Sequence, residues 1–102
     1  MYKSKRSKAC DISKKVKDAV WERDNRKCIV CGSVYAMPNA HYISRAKGGL
    51  GIEENVVTLC ANCHHKTDNT ADRYIMLDYI KNYLQSHYPN WSEENLIYKK
   101  GE

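Results

Sequence analysis

The sequence predicts a small α+β domain: two short strands and a helix held between two metal-binding turns, flanked by an N-terminal and a C-terminal helix. Three observations predict it. Cys28-x2-Cys31 and Cys60-x2-Cys63 are two pairs at a spacing that aims two thiolates at one ion, so together they close a tetrahedral zinc site. Between the pairs lie two β-prone stretches separated by a loop with three glycines, Gly48, Gly49 and Gly51. At 102 residues with no Phe, the chain makes one domain with a thin apolar core, which a metal staple would supplement.

The elements follow in order. Residues 1–10 read as a basic flexible leader and 11–102 as one domain, with a strand-strand-helix core over about 28–69 and a C-terminal helical extension over 70–102. Asp11 or Ser13 caps a helix from Lys15 to about Arg23, with Val16, Ala19 and Val20 on the face that packs inward. Asp24-Asn25-Arg26 turns the chain into the first cysteine pair, where Gly32 takes a positive φ. Asn39 to Ser44 is the first strand, and Arg45 to Gly51 a loop able to bring backbone close to a ligand. Val56 to Leu59 is the second strand, delivering Cys60, and a helix from Asn62 to about Asp68 carries His64. Asp72 or Thr70 starts a long helix to about His87, in which Tyr74, Leu77, Ile80 or Lys81, and Leu84 recur at helical spacing as a core stripe. Pro89 ends it, and a short turn then packs Trp91 and Leu96 back on the body.

Charge is uneven. The net charge is +5, but residues 1–27 hold ten Lys and Arg against four acids, a local +6. A basic arm beside a metal domain suits a polyanion such as nucleic acid, and Lys14 and Lys15 are its candidates for phosphate contact. The N-terminus has no apolar signal segment and no run of eighteen apolar residues occurs, so a membrane span is not expected. Paired cysteines without a secretory signal point to metal thiolates in a reducing cytoplasm, with Cys10 a bystander.

The residues also resemble a family. Cys28-x2-Cys31, then Ala40-His41-Tyr42-Ile43-x5-Gly49, then Glu54-Asn55-Val56-Val57-x-Leu59-Cys60-x2-Cys63-His64, are similar to the zinc-bound HNH endonucleases. The resemblance implies a ββα-metal fold, with His41 the general base for water and Asn55 the brace of the glycine loop. It also implies that His64 is a ligand of a catalytic divalent cation such as Mg2+ or Mn2+. Cleaving DNA phosphodiesters requires little beyond a base near neutral pKa and a cation that screens the developing charge. Arg45 and Lys47, on the loop after His41, are candidates to clamp the scissile phosphate. Chains of this kind imply a phage or prophage enzyme in bacterial cytoplasm, acting as a monomer or weak dimer, with phage packaging proteins as partners.

One position departs from the family pattern. The residue before the base is typically Asp in the family and gives the cation a carboxylate, whereas here it is Ala40. Asp68, four residues beyond His64, would share its helix face and replace that ligand, with Asn39 and His65 behind it. A second register makes His41 the ligand and Tyr42 the base, but the spacing of His41 to Gly49 and Asn55 favours the first. Ala40 also leaves open a non-catalytic zinc-knuckle module that binds nucleic acid through a decayed nuclease centre.

Overall fold

The fold is given by a computed structural model that describes residues 4–99. Its helices are α1 (Lys5–Cys10), α2 (Lys14–Arg23), α3 (Ala61–Asn69) and α4 (Arg73–His87). Its strands are β1 (Ala36–His41) and β2 (Val56–Cys60), and single helical turns lie at Arg45–Lys47, Glu53–Asn55 and Glu93–Leu96. β1 and β2 pair antiparallel, with Ala36 opposite Cys60 and His41 opposite Val56. The register slips between Met37 and Ala40, where Pro38 has no N–H to give the ladder. With α3 following β2 directly, this is the expected ββα unit in a small α+β fold.

β1 begins and ends three residues before the stretch expected from sequence, 39–44. The cause lies beyond His41. Tyr42 still donates its N–H to the Asn55 carbonyl at 2.7 Å, but both backbone groups of Ile43 are taken by the Asn55 side chain, so the ladder stops. Upstream, Ala36 reaches far enough to pair with Cys60, which ties the two cysteine turns to one end of the sheet.

The core sits between the sheet and α4. Every residue of β2 is buried, and Val57 and Leu59 meet Met76, Ile80 and Leu84 of α4 together with Ala40 and the thiols of Cys28, Cys60 and Cys63. Met76, Ile80 and Leu84 are four residues apart, so they stack along one helix face. The stripe expected to start at Tyr74 therefore starts at Met76. Tyr74 is 80% exposed and Tyr79 48% exposed, Tyr79 giving its hydroxyl to the Ile29 carbonyl at 2.9 Å. Trp91 and Leu96 do pack back as expected: Leu96 is fully buried and the Trp91 indole N–H donates to the Glu54 carbonyl at 2.7 Å.

Ser13 caps α2, accepting from the Val16 N–H at 3.2 Å, and the buried face carries Val20. At its C-terminal end Arg23 and Asp24 form a buried hub. Arg23 donates to both Asp24 oxygens at 2.7 and 3.1 Å and to the carbonyls of Glu53 and Val56 at 2.8 and 2.7 Å. Asp24 also accepts from the Thr58 N–H at 2.8 Å and the Tyr83 hydroxyl at 2.6 Å. One ion pair thus fastens α2 to β2 and α4, its charges satisfied from several sides as burial demands.

Of the leader expected to be flexible over 1–10, residues 1–3 lie outside the described residues, while Lys5–Cys10 form α1. Ser4 caps it through the Ser7 N–H at 3.1 Å. The helix is held by the glycine loop: Arg6 donates to the Ala46 and Arg45 carbonyls at 2.9 and 3.3 Å, and the Gly51 N–H donates to the Ala9 carbonyl at 3.0 Å. Among the described residues no helix is long and apolar enough to cross a membrane.

Candidate active site and metal centre

The Sγ atoms of Cys28, Cys31, Cys60 and Cys63 all lie within 4.8 Å of one another, and those of Cys31 and Cys60 are 3.6 Å apart. No pair is bonded as a disulfide. Four sulfurs each about 2.3 Å from a tetrahedral zinc ion would stand about 3.8 Å apart, so the cluster fits that ion. The turns are built for it. Gly32 has φ +79°, and its N–H returns to the Cys28 carbonyl at 3.0 Å. Cys60 caps α3, its sulfur accepting from the Cys63 N–H at 3.4 Å. Burial, and then the neighbouring thiols, push the Cys63 thiol up, so this crowded group needs a cation to ionise.

Asn55 is fully buried and its side chain spans the glycine loop. Its Oδ1 accepts from the Ile43 N–H at 2.8 Å, while Nδ2 donates to the Ile43 and Leu50 carbonyls at 3.1 and 2.8 Å. Both ends of the loop are thereby fixed to one side chain. Inside the loop Gly49 runs so close to the chain leaving β1 that a Cβ there would lie 1.7 Å from the Ile43 carbonyl oxygen. Gly48 adopts φ +85°, as a tight turn without a Cβ permits. The C-terminal segment covers the outside: Leu50 N–H donates to the Leu96 carbonyl and Tyr98 N–H to the Gly48 carbonyl, both at 2.8 Å.

His41 is the last residue of β1 and half-buried, its Nε2 2.9 Å from the Cys10 carbonyl oxygen. Burial pulls its pKa below the ordinary imidazole value; Arg45 and His64 push the same way, against the Cys10 carbonyl and Asp11. The imidazole is therefore neutral at pH 7. Tyr42 lines the same cleft as His41, but it donates its hydroxyl to Glu93 at 3.0 Å, and burial followed by Glu93 pushes its pKa up to about 12.

α3 runs from Ala61 to Asn69, so His64 and Asp68 share a face, with Nε2 3.3 Å from Oδ2. Asp68 opens into a cleft of about 170 Å³ whose walls also include His41, Lys47, Thr67, Arg73 and Glu93. Ala40 does not reach this cleft; it is 2% exposed and belongs to the core cluster. Of the loop cations, Lys47 lines the cleft, whereas Arg45 pairs with Asp11 at 2.8 Å. Lys14 and Lys15 are exposed on α2, and Lys14 pairs with Asp18 at 2.7 Å. His65 is exposed on α3 and is not a wall of the cleft, and Asn39 lines a separate hollow with Asp11, Lys17, His41 and Arg45.

Two residues escape sequence reasoning. Arg73 opens α4 and lines the cleft, but stands nine residues past His64 with no motif around it. Cys10, a bystander by sequence, is buried and touches His41 through its carbonyl. No sequence signal marks a backbone contact of that kind.

Compared with known families, residues 28–70 match the HNH endonuclease family. No curated protein and no solved structure matches the chain.

Proposed function

We propose that this protein, an HNH endonuclease by family across residues 28–70, hydrolyses DNA phosphodiester bonds with a divalent cation. The observation that carries the reading is the convergence of three groups of the matched segment. A neutral His41 at the end of β1 shares one cleft with Asp68, which lies 3.3 Å from His64 on α3. Octahedral ligands at about 2.1 Å stand about 3.0 Å apart when adjacent, so His64 and Asp68 fit two neighbouring positions of one ion. Such a cation, when bound, screens charge at the phosphate and eases departure of the 3′-oxygen.

The chain's own residues do the rest. His41 takes a proton from the attacking water, for which a neutral imidazole at physiological pH is suited. Asn55 and the glycine loop fix the strand end from which His41 projects. Lys47 and Arg73 supply positive charge on the cleft wall for the scissile phosphate. The four-cysteine zinc site holds the sheet against α3 and does no chemistry. Tyr42 in the base role is disfavoured by its pKa of about 12 and by its bond to Glu93. The products are a 5′-phosphate and a 3′-hydroxyl. One centre cuts one strand, so a monomer nicks, and double-strand cleavage takes two binding events or a weak dimer. Bacterial cytoplasm as the setting, a phage origin and packaging proteins as partners rest on the resemblance alone.

Ala40 favours the second reading, a zinc module that binds nucleic acid without cutting it, because its methyl group offers the cation no ligand where the resemblance implies a carboxylate. Plasmid nicking with Mg2+, Mn2+ or Ni2+ against EDTA decides between them. Metal-dependent nicking that His41→Ala abolishes supports the nuclease. No cleavage with any metal, or equal cleavage by wild type and His41→Ala, sinks it.

A further inference from the structure

We infer that α1, which lies outside residues 28–70, is a positioning element of the active centre: the Cys10 carbonyl holds the His41 imidazole so that Nδ1 is the nitrogen left to take a proton. The inference rests on His41 as the base. A carbonyl oxygen has only lone pairs to offer, so across 2.9 Å Nε2 must carry the hydrogen and donate it. The neutral ring is then one tautomer, with its free lone pair on Nδ1. An imidazole without such a partner divides its proton between both nitrogens and turns about χ2, which reduces the productive fraction.

The Cys10 carbonyl is itself held in place. On one side of it the Ala9 carbonyl accepts from Gly51, and on the other Asp11 pairs with Arg45 at 2.8 Å. Arg6 adds its bonds to the Arg45 and Ala46 carbonyls. Gly51 approaches so closely that a Cβ would lie 2.0 Å from the Asp11 carbonyl oxygen, a distance no side chain can occupy unless the Cys10–Asp11 backbone shifts. Residues 6, 9 and 11 are thus bound to residues 45, 46 and 51, the loop that starts a few positions after the base. The thiol of Cys10 takes no part; the contact belongs to the peptide, and what places the peptide is the seat of α1 on that loop.

The test uses the intact chain with 15N-labelled histidine, reading the His41 ring nitrogens by NMR and kcat and KM by plasmid nicking. Wild type is expected to show His41 as the Nε2–H tautomer. Gly51→Ala, which drives the peptide away, is expected to give mixed tautomers and to lower kcat at least about tenfold, with KM changed less than about threefold. Arg6→Ala moves both readouts the same way by a smaller factor, and serves if Gly51→Ala does not fold. Mixed tautomers in an active wild type overturn the positioning, as does a fall in kcat with the tautomer unchanged, which would mark α1 as merely structural. Wild type cleaving no better than His41→Ala removes the base and the proposal with it, a failure distinct from the other two.

Discussion

Asn55 offers the sharpest test of how the glycine loop is built, because two substitutions at this one position predict different pH behaviour. Asn55→Ala removes three hydrogen bonds and leaves the Ile43 N–H and the Ile43 and Leu50 carbonyls without their partner at a fully buried site. At about 1 kcal/mol net for each bond, plus the cost of unsatisfied buried groups, the loss is about 3–5 kcal/mol. For a domain of this size that lowers Tm by roughly 15–30 °C. A loosened loop also misplaces His41, so nicking falls by about a hundredfold. Asn55→Asp keeps the shape and the acceptor for Ile43, yet sets an oxygen against two carbonyl oxygens where Nδ2 now donates at 3.1 and 2.8 Å. The new carboxyl is stable there only when protonated, so its folded pKa rises above the unfolded value of about 3.9. A folded pKa above the unfolded one means stability is present at low pH and lost as pH rises through the folded value. Asn55→Asp is therefore closer to wild type at about pH 5.5, where excess zinc still holds the thiolates, than at pH 7. Thermal melts with zinc in excess, at both pH values, read the difference. An Asn55→Asp protein melting within about 3 °C of wild type at pH 7, or Asn55→Ala nicking at the wild-type rate, refutes the reasoning.

Asp24→Asn leaves the buried Arg23 guanidinium without its counter-charge and costs about 3–5 kcal/mol, seen as a lower denaturation midpoint at unchanged slope; a loss under about 1 kcal/mol means the hub contributes little. Because burial depresses the His41 pKa, the acid limb of kcat/KM lies below the ordinary value of about 6.5, and activity falls as pH drops through it. Arg45→Ala removes a positive neighbour and moves that limb to higher pH; a limb that moves down contradicts the assignment. Arg73→Ala and Lys47→Ala each weaken cleavage by about tenfold, while Lys14→Ala, which is not a wall of the cleft, changes KM by less than about twofold. Chelation releases one zinc per chain and exposes four thiols to alkylation; rapid alkylation before chelation argues against the four-cysteine site.

Local pattern carries the parts of the fold that local chemistry decides. The cysteine turns, Gly32 at positive φ, the Ser13 cap and the His64–Asp68 pair all follow from spacings of two to four residues. Asn55 is legible through its motif, although its hydrogen bonds to Ile43 and Leu50 are not. The readings that miss depend on distant partners. Pro38 argues against an early β1, but the start of the strand is set by the pairing of Ala36 with Cys60 on the neighbouring strand. Tyr74 reads as core on helical spacing, whereas the seat of α4 on the cysteine cluster turns Met76 inward instead. α1 has no apolar periodicity at all; carbonyls of a loop some forty residues away hold it. Arg45 and Lys47 read alike in sequence, and only the partner Asp11 separates them.

The glycine loop lies between segments from opposite parts of the sequence, Ala9 on one side and Leu96 to Tyr98 on the other. That arrangement sets an order of events as the chain folds. The cysteine turns, the sheet and α3 join residues 28 to 69 and can form early on modest loop closures. The loop beside His41 acquires its outer neighbour only when residue 98 arrives, some fifty positions downstream of Gly48. A chain interrupted between α3 and that point would keep its four cysteines, His41 and the Asn55 brace yet leave the outer side of the loop bare, so metal loading and completion of the loop become separate stages of maturation.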